Sequence, residues 1–407
     1  MIRLLGLPAV LLSAFFSVTA RARVVIAVLV VVMAAAQAEA QSRASWMPAG
    51  TYGVMTHYLI YPQGNTQAQK TADLNRIANN FDINTYVNQF QKSGADWLIF
   101  TLGQNSNYLC SSNSYFDSLL PGHTPQRDIA MEVAQRVHAL GKKMIFYLPS
   151  PDNSNPANSE FLNAMRYTEP GYDQRYFNFV QNYSLKFGSL CDGWWFDSCL
   201  SHTTSYYNSF SSAARAGNTN SALAFSNVEF MDNRTGSISL VRPSEDYTGG
   251  EIHLLENSQI RRDFFYEGSN IYVTEDGKLR REGQGPIFYM PSGPTVGTAQ
   301  WHGLLPIDQS WNPGIPDEFV HYSDAELFQF VRDVKDVGGA LTINVPVDLE
   351  TGRMFAGSAA QLNRLGVTVF GVPEPSTYVM LGTVFCGIFC WRAHRRTKDI
   401  AFRDPCL

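Results

Sequence analysis

Short apolar runs bounded by turn residues alternate along this chain with segments of helical period, and no other feature constrains the fold as strongly. Trp97 to Thr101 is followed by a helical pattern over Arg127 to Leu140, and Lys143 to Tyr147 by a helical stretch ending near Phe187. Gly193 to Phe196 precedes Tyr206 to Ala216. Beyond these come Leu223 to Ser226, a less regular stretch from Glu245 to Met290, a helix over Ala325 to Val337, a strand over Ala340 to Asn344 and a last helix near Ala359 to Leu365. Strands that alternate with helices predict an α/β fold with a parallel sheet and crossover helices. The length suits one catalytic domain, a (β/α)8 TIM-type barrel over residues 41–370. No GxGxxG or Walker loop marks a nucleotide crevice.

The two ends carry a different signal. Arg21-Ala-Arg23 precedes an apolar run from Val24 to Ala36, and Ala38-Glu-Ala40 has the small residues a signal peptidase reads, so residues 1–40 are expected to be a signal peptide. A second apolar run, Leu4 to Val18, leaves open whether the start codon lies further in. At the other end Val372-Pro-Glu-Pro-Ser376 is followed by an apolar stretch, Thr377 to Trp391, and then by Arg392, His394, Arg395, Arg396 and Lys398. That order of parts, over residues 371–398 with a short tail to 407, resembles the PEP-CTERM sorting signal. The resemblance implies a C-terminal transmembrane sorting helix, removed by an exosortase. The positive-inside rule would keep the basic cluster cytoplasmic while everything before Pro373 is exported. The domain would then be anchored transiently and released to the cell envelope or outside.

Charge narrows the partners. The whole chain is at −5, but the first forty residues carry +2 and the last sixteen +3, leaving a body near −10. A body that acidic is a poor polyanion binder, so no nucleic-acid partner is expected. Outside the tail only Cys110, Cys191 and Cys199 remain, with no CxxC or Cys/His cluster, so neither a metal nor another cofactor is expected. Cys191 and Cys199 flank one strand; any disulfide would join Cys110 to one of them.

In a barrel, chemistry sits at the C-terminal ends of the strands. The polar residues that end the apolar runs are His57 after Tyr52-Gly-Val-Met, Gln104 and Asn105 after Leu98-Ile-Phe-Thr, Tyr147 after Met144-Ile-Phe, Asp197 after Trp194-Trp195-Phe196, and Asn227 after Ala224-Phe-Ser. An aspartate directly after Trp-Trp-Phe is the sharpest of these, as a nucleophile or as the cap of the next helix. Glycosidase chemistry needs a second carboxyl group, and Glu245, Asp246, Glu251 and Glu256 all stand downstream. Trp301-His302-Gly303 offers an aromatic to stack on a sugar or to pack inside a loop.

These pieces, in this order over roughly residues 52–366, resemble the alpha-L-fucosidases of glycoside hydrolase family 29. Tyr52 to His57 is similar to the first-strand motif whose histidine contacts the sugar, Pro125-Gln-Arg127-Asp128 to the family's Lys-Arg-Asp helix start, and Leu341-Thr-Ile-Asn344 to its last strand. The resemblance implies an exo-acting retaining fucosidase with Asp197 as nucleophile and Glu251, ending Asp246-Tyr-Thr-Gly-Gly-Glu251, as acid/base. His57, Gln104, Asn105, Tyr147, Trp195, Asn227 and Trp301 would hold a polysaccharide or glycoconjugate substrate. Gln104-Asn105 replaces the family's histidine pair, and Asn227-Val-Glu229 stands where many members have Asn-Asp-Arg. A barrel that has lost catalysis and serves as a carbohydrate-binding or surface-matrix protein is the alternative reading.

Overall fold

The computed structural model describes residues 43–226, 244–252, 291–307 and 322–371, with residues 240 and 242 and short strands between 254 and 288. The expected signal peptide and sorting tail, and Asn227, lie outside the described residues. Among the described residues no helix is long and apolar enough to cross a membrane.

Seven strands form one parallel sheet: β1 (Gly53–Thr56), β2 (Trp97–Thr101), β3 (Lys143–Pro149), β4 (Gly193–Asp197), β5 (Ala222–Phe225), β6 (His302–Pro306) and β7 (Ala340–Val345), in the order β6-β7-β1-β2-β3-β4-β5. Consecutive strands are neighbours because helices carry the chain back each time: α1 (Gln67–Asn80), α2 (Ile83–Ser93), α3 (Ile129–Ala139), α4 (Tyr172–Phe187), α5 (Thr204–Ala214), α6 (Asp324–Asp336) and α7 (Ala356–Phe370). Side-chain oxygens of Asp128, Thr203 and Ser323 cap α3, α5 and α6, accepting from the otherwise orphaned N–H groups of their first turns.

The sheet is buried on both faces, and its period-two alternation makes two cores. Leu98, Phe100, Phe146, Trp194, Phe196, Leu223 and Ile343 point outward into the layer shared with the helices. Met55, Trp97, Ile99, Ile145, Trp195 and Ala224 point inward and pack on one another. The sheet curls tightly, so small residues must stand beside large ones. Gly53 is such a site, since a Cβ there would sit 1.9 Å from Trp97 Nε1. Gly53→Ala is therefore expected to destabilise the fold by about 1–3 kcal/mol through overpacking, read as a lower denaturation midpoint at unchanged m-value.

Residues 246–252 bridge the two sheet edges. The N–H groups of Asp246 and Tyr247 donate to Leu223 O on β5 at 2.9 and 3.4 Å, while Ile252 N–H donates to Leu304 O and Leu304 N–H to Gly250 O on the β6 side, both at 2.8 Å. Gly250 permits this: its φ is +62°, and a Cβ would lie 1.9 Å from His302 O. At the N-terminal end of the strands, Ala44 and Met47 plug the interior and Trp46 meets Trp97 edge-on at 5.7 Å.

Cys110, Cys191 and Cys199 are all buried free thiols, so the disulfide that the sequence left open is not formed. Cys110 and Cys191 serve different ends of the sheet, the first turned to Thr101 O at the end of β2 and the second to Gly193 O at the start of β4. The stretch around Trp301 is also no loop: β6 begins at the next residue, fully buried along its length.

Candidate active site

Alternation along β4 sends Gly193, Trp195 and Asp197 to the inside, and the strand stops at Asp197. The aspartate thus stands at the C-terminal rim of the curled sheet, on top of a column of inward side chains. Trp195 stacks on Tyr147 beneath it, with centroids 5.1 Å apart and planes 16° apart, and donates Nε1 to Gly249 O at 3.1 Å. That stack fixes the phenol of Tyr147, whose Oη donates to Asp197 Oδ2 at 2.6 Å.

Two further donors complete the carboxylate's surroundings. Gln104 Nε2 donates to the same Oδ2 at 2.7 Å, and the backbone N–H of Ser198 donates to Oδ1 at 2.7 Å. Burial, and after it the negative charge of Glu251, push the Asp197 pKa well above the usual carboxylate range; the three donors oppose this without cancelling it. Tyr147 is raised as well, by burial first and by Asp197 second, so it stays a protonated donor.

Glu251 comes from the bridging segment, held by backbone pairing beside Leu304, and its Oε1 accepts from Ser226 Oγ at 3.3 Å. Its charge is felt by Asp197, Tyr147 and His57 alike, which places it over the same opening. The competing carboxylates point elsewhere. Glu245 is buried and accepts from Arg242 N–H at 2.6 Å, and Asp246 is tied to Arg215 and to Leu223 N–H. The side chain of Glu256 lies outside the described residues.

His57 follows β1 and is 9% exposed, with its ring 5.3 Å from that of Tyr147. Among the described residues neither ring nitrogen has a hydrogen-bond partner of good geometry, although Gln104 lies close enough to favour its charged form. Burial outweighs that and lowers its pKa to about 4, so the ring is neutral at ordinary pH and presents one donor and one acceptor to the opening. Asn105 adopts a left-handed φ of +48° at the rim and accepts from Asn153 Nδ2 at 3.4 Å. Beside Gln104 lies a small cleft between the β2 and β3 loops, lined in part by Ser150, Asn153 and Tyr172.

Of the residues singled out in the sequence, the structure thus gathers His57, Gln104, Asn105, Tyr147, Asp197 and Glu251 at one rim. Trp195 lies one layer below and acts through Tyr147. Trp301 is not brought to the site: it is fully buried in the outer core at the start of β6, against Gly339, at the opposite end of the sheet. Asn344, read only as part of the last strand, emerges as a candidate. It stands on the inward series Ala340, Thr342, Asn344 near the end of β7, 2% exposed, and its Oδ1 has no partner among the described residues. Period-two counting back from Ala340 could have found it.

Tyr147→Phe keeps the ring stack and deletes one donor to a buried carboxylate. A loss of roughly ten- to a hundredfold in kcat is expected, with little change in folding stability; unchanged turnover would show that the phenol is dispensable.

A profile of the family described as "Endo-alpha(1,4)-fucoidanase Mef1" matches residues 43–251. No curated protein matches the sequence. Among solved structures, an endo-fucoidan hydrolase from glycoside hydrolase family 107 superposes with a TM-score of 0.55 at 18% identity, covering 82% of this chain and 95% of the other. A second, MfFcnA4, gives 0.54 at 17%, over 81% of this chain and 53% of its own. Alpha-L-fucosidase AlfC from Lactobacillus casei gives 0.51 at 13%, over 81% and 98%. At such identities the superpositions speak for the fold, a curled parallel α/β sheet like that of TIM-type glycosidases. The profile covers more than half of the 407 residues, and it places the chain with an endo-fucoidanase family where the sequence motifs had pointed to exo-fucosidases. This chain therefore belongs to the Mef1 family of endo-alpha(1,4)-fucoidanases, which are glycoside hydrolases.

Proposed function

We propose that this protein is a retaining, endo-acting glycosidase that cuts α-linked fucose-containing polysaccharide outside the inner membrane. One observation carries the reading: Asp197 ends β4 inside the rim, oriented by three donors and sharing an electrostatic field with Glu251. With residues 246–252 counted as the eighth stave, the sheet becomes a (β/α)8 barrel and both carboxylates stand at its C-terminal face.

In the first step an Asp197 oxygen forms a bond to the anomeric carbon, the glycosidic C–O bond breaks, and the Glu251 proton passes to the leaving oxygen. In the second, water attacks the anomeric carbon, its proton returns to Glu251, and Asp197 leaves as a carboxylate. His57 and Asn344 present unspent polar atoms to sugar hydroxyls, and Asn105 lines the approach. Gln104 and Tyr147 work on the nucleophile. The negative charge of Glu251 acts on Asp197, which supports the retaining route, where the two carboxyl groups stand about 5–5.5 Å apart. The endo-acting assignment rests on the match to the endo-fucoidanase family profile.

Digestion of a fucan followed by size analysis and by proton NMR of the first product tests this. Rapid fall in polymer size with an initial α-anomer is expected. Free fucose as the first product would favour the exo-acting fucosidase instead, and binding without cleavage the carbohydrate-binding barrel. Export is part of the proposal and rests on Arg21 to Ala40 and on Pro373 to Lys398. Secreted protein from the native host should start near Gln41 and lack the basic tail; full-length protein in the cytosol would overturn that part.

A further inference from the structure

Among the described residues only three non-glycines have a positive φ, and two of them directly follow site residues: Asn105 after Gln104, and Ser198, at +59°, after Asp197. An L-residue adopts that backbone only when its surroundings impose it. For Ser198 the consequence is specific, since the turn begins at the peptide whose N–H donates to Asp197 Oδ1, and whatever holds the turn also holds that donor.

The surroundings that impose it centre on Ser150, which follows β3 and is 2% exposed. Its N–H donates to Asp197 O at 2.6 Å, and its hydroxyl donates to Ser198 O at 2.8 Å, so one residue grips the peptides on both sides of the turn. Cys199 N–H then donates to Ser226 O at 2.8 Å, and Leu200 N–H to Asp152 Oδ2 at 2.9 Å, which ties the far side of the turn down.

The two carboxylate oxygens are not equivalent. Oδ2 accepts from both Gln104 and Tyr147, which uses both of its in-plane lone-pair directions. Oδ1 accepts only the Ser198 N–H among the described residues, which leaves one lone pair for a new bond.

We infer that Asp197 Oδ1 is the attacking oxygen and that Ser150 is its positioning residue, holding Ser198 in the left-handed turn that fixes where Oδ1 points. The inference rests on the proposed nucleophile role of Asp197 and adds which atom reacts and what aims it. Ser150 touches no reacting atom itself.

The test uses the full chain on a fucan and compares three variants. Ser150→Ala removes the hydroxyl grip and should lower kcat roughly tenfold or more with KM little changed, because a loosened nucleophile costs rate and leaves binding intact. It should also move the acid limb of the kcat profile to higher pH, since a weaker Ser198 N–H bond no longer favours the Asp197 anion. Ser198→Gly keeps the backbone N–H and adopts a positive φ without steric cost, and it is the reference for the double variant. The double variant Ser150→Ala with Ser198→Gly should recover most of the lost kcat, because glycine needs no grip to hold the turn.

A Ser150→Ala variant whose activity falls only with its folded fraction and whose pH profile is unchanged would overturn the inference. So would a double variant no better than Ser150→Ala. An Asp197→Gly control separates the two claims. If it stays active, the nucleophile reading fails and the inference with it; if it is inactive but revived by azide while the serine pattern is absent, only the positioning role fails.

Discussion

Asp197→Asn is expected to lower kcat by about four orders of magnitude, the largest effect of any single change at the site. The variant keeps the size and burial of the side chain but offers an amide that cannot form the glycosyl-enzyme bond. Gln104, Tyr147 and Ser198 would remain around it, so the protein should fold and bind substrate. Asp197→Gly goes further and opens space for an external nucleophile. Azide should restore turnover there and give a β-configured glycosyl azide, the opposite anomer to the normal product. Activity in Asp197→Asn within tenfold of the parent would remove this residue from the nucleophile role.

Glu251→Gln should divide substrates by leaving group. A polysaccharide alkoxide needs the proton that Glu251 supplies, and cleavage should drop by about a thousandfold. An aryl glycoside with an acidic phenol needs no such help in the first step, so its kcat/KM should fall far less. The same variant tests the electrostatics. The Glu251 charge is the second cause, after burial, of the raised Asp197 pKa. With that charge gone, the Asp197 anion is easier to form, so the acid limb of activity should move to lower pH. Equal losses on both substrates with an unmoved acid limb would return the acid/base role to another group.

His57 and Asn344 have a further place in that picture. Each leaves buried polar atoms without partners among the described residues, a cost that a bound water or sugar hydroxyl would offset. Such unspent groups recur where a fold has been shaped for a ligand rather than for its own stability.

Much of this was legible in the residues alone. The strand at Trp97 to Thr101 runs between the same residues in the structure, and those at Lys143, Gly193 and Ala340 begin where the apolar runs begin. Strands buried on both faces must be apolar throughout and must stop where polarity returns. That rule also pointed to His57, Gln104, Tyr147 and Asp197, because a polar residue ending such a run has nowhere to face but the rim.

Tertiary contact decided the rest. Nothing local distinguishes Glu251 from Glu245, six residues apart at most in any reading of the stretch; pairing of residues 246–252 with β5 and β6 turns one carboxylate over the opening and buries the other. Trp301 looked like a sugar platform because loop aromatics and strand-initial aromatics share a composition; only the packing against Gly339 separates them. Likewise Gln104 read as a ligand for hydroxyls, and the fold turned it onto Asp197. Periodicity is a property of neighbours in the chain, so it predicts which face a side chain takes. Which distant groups share that face depends on sheet order and curl, and these exist only once the strands have met.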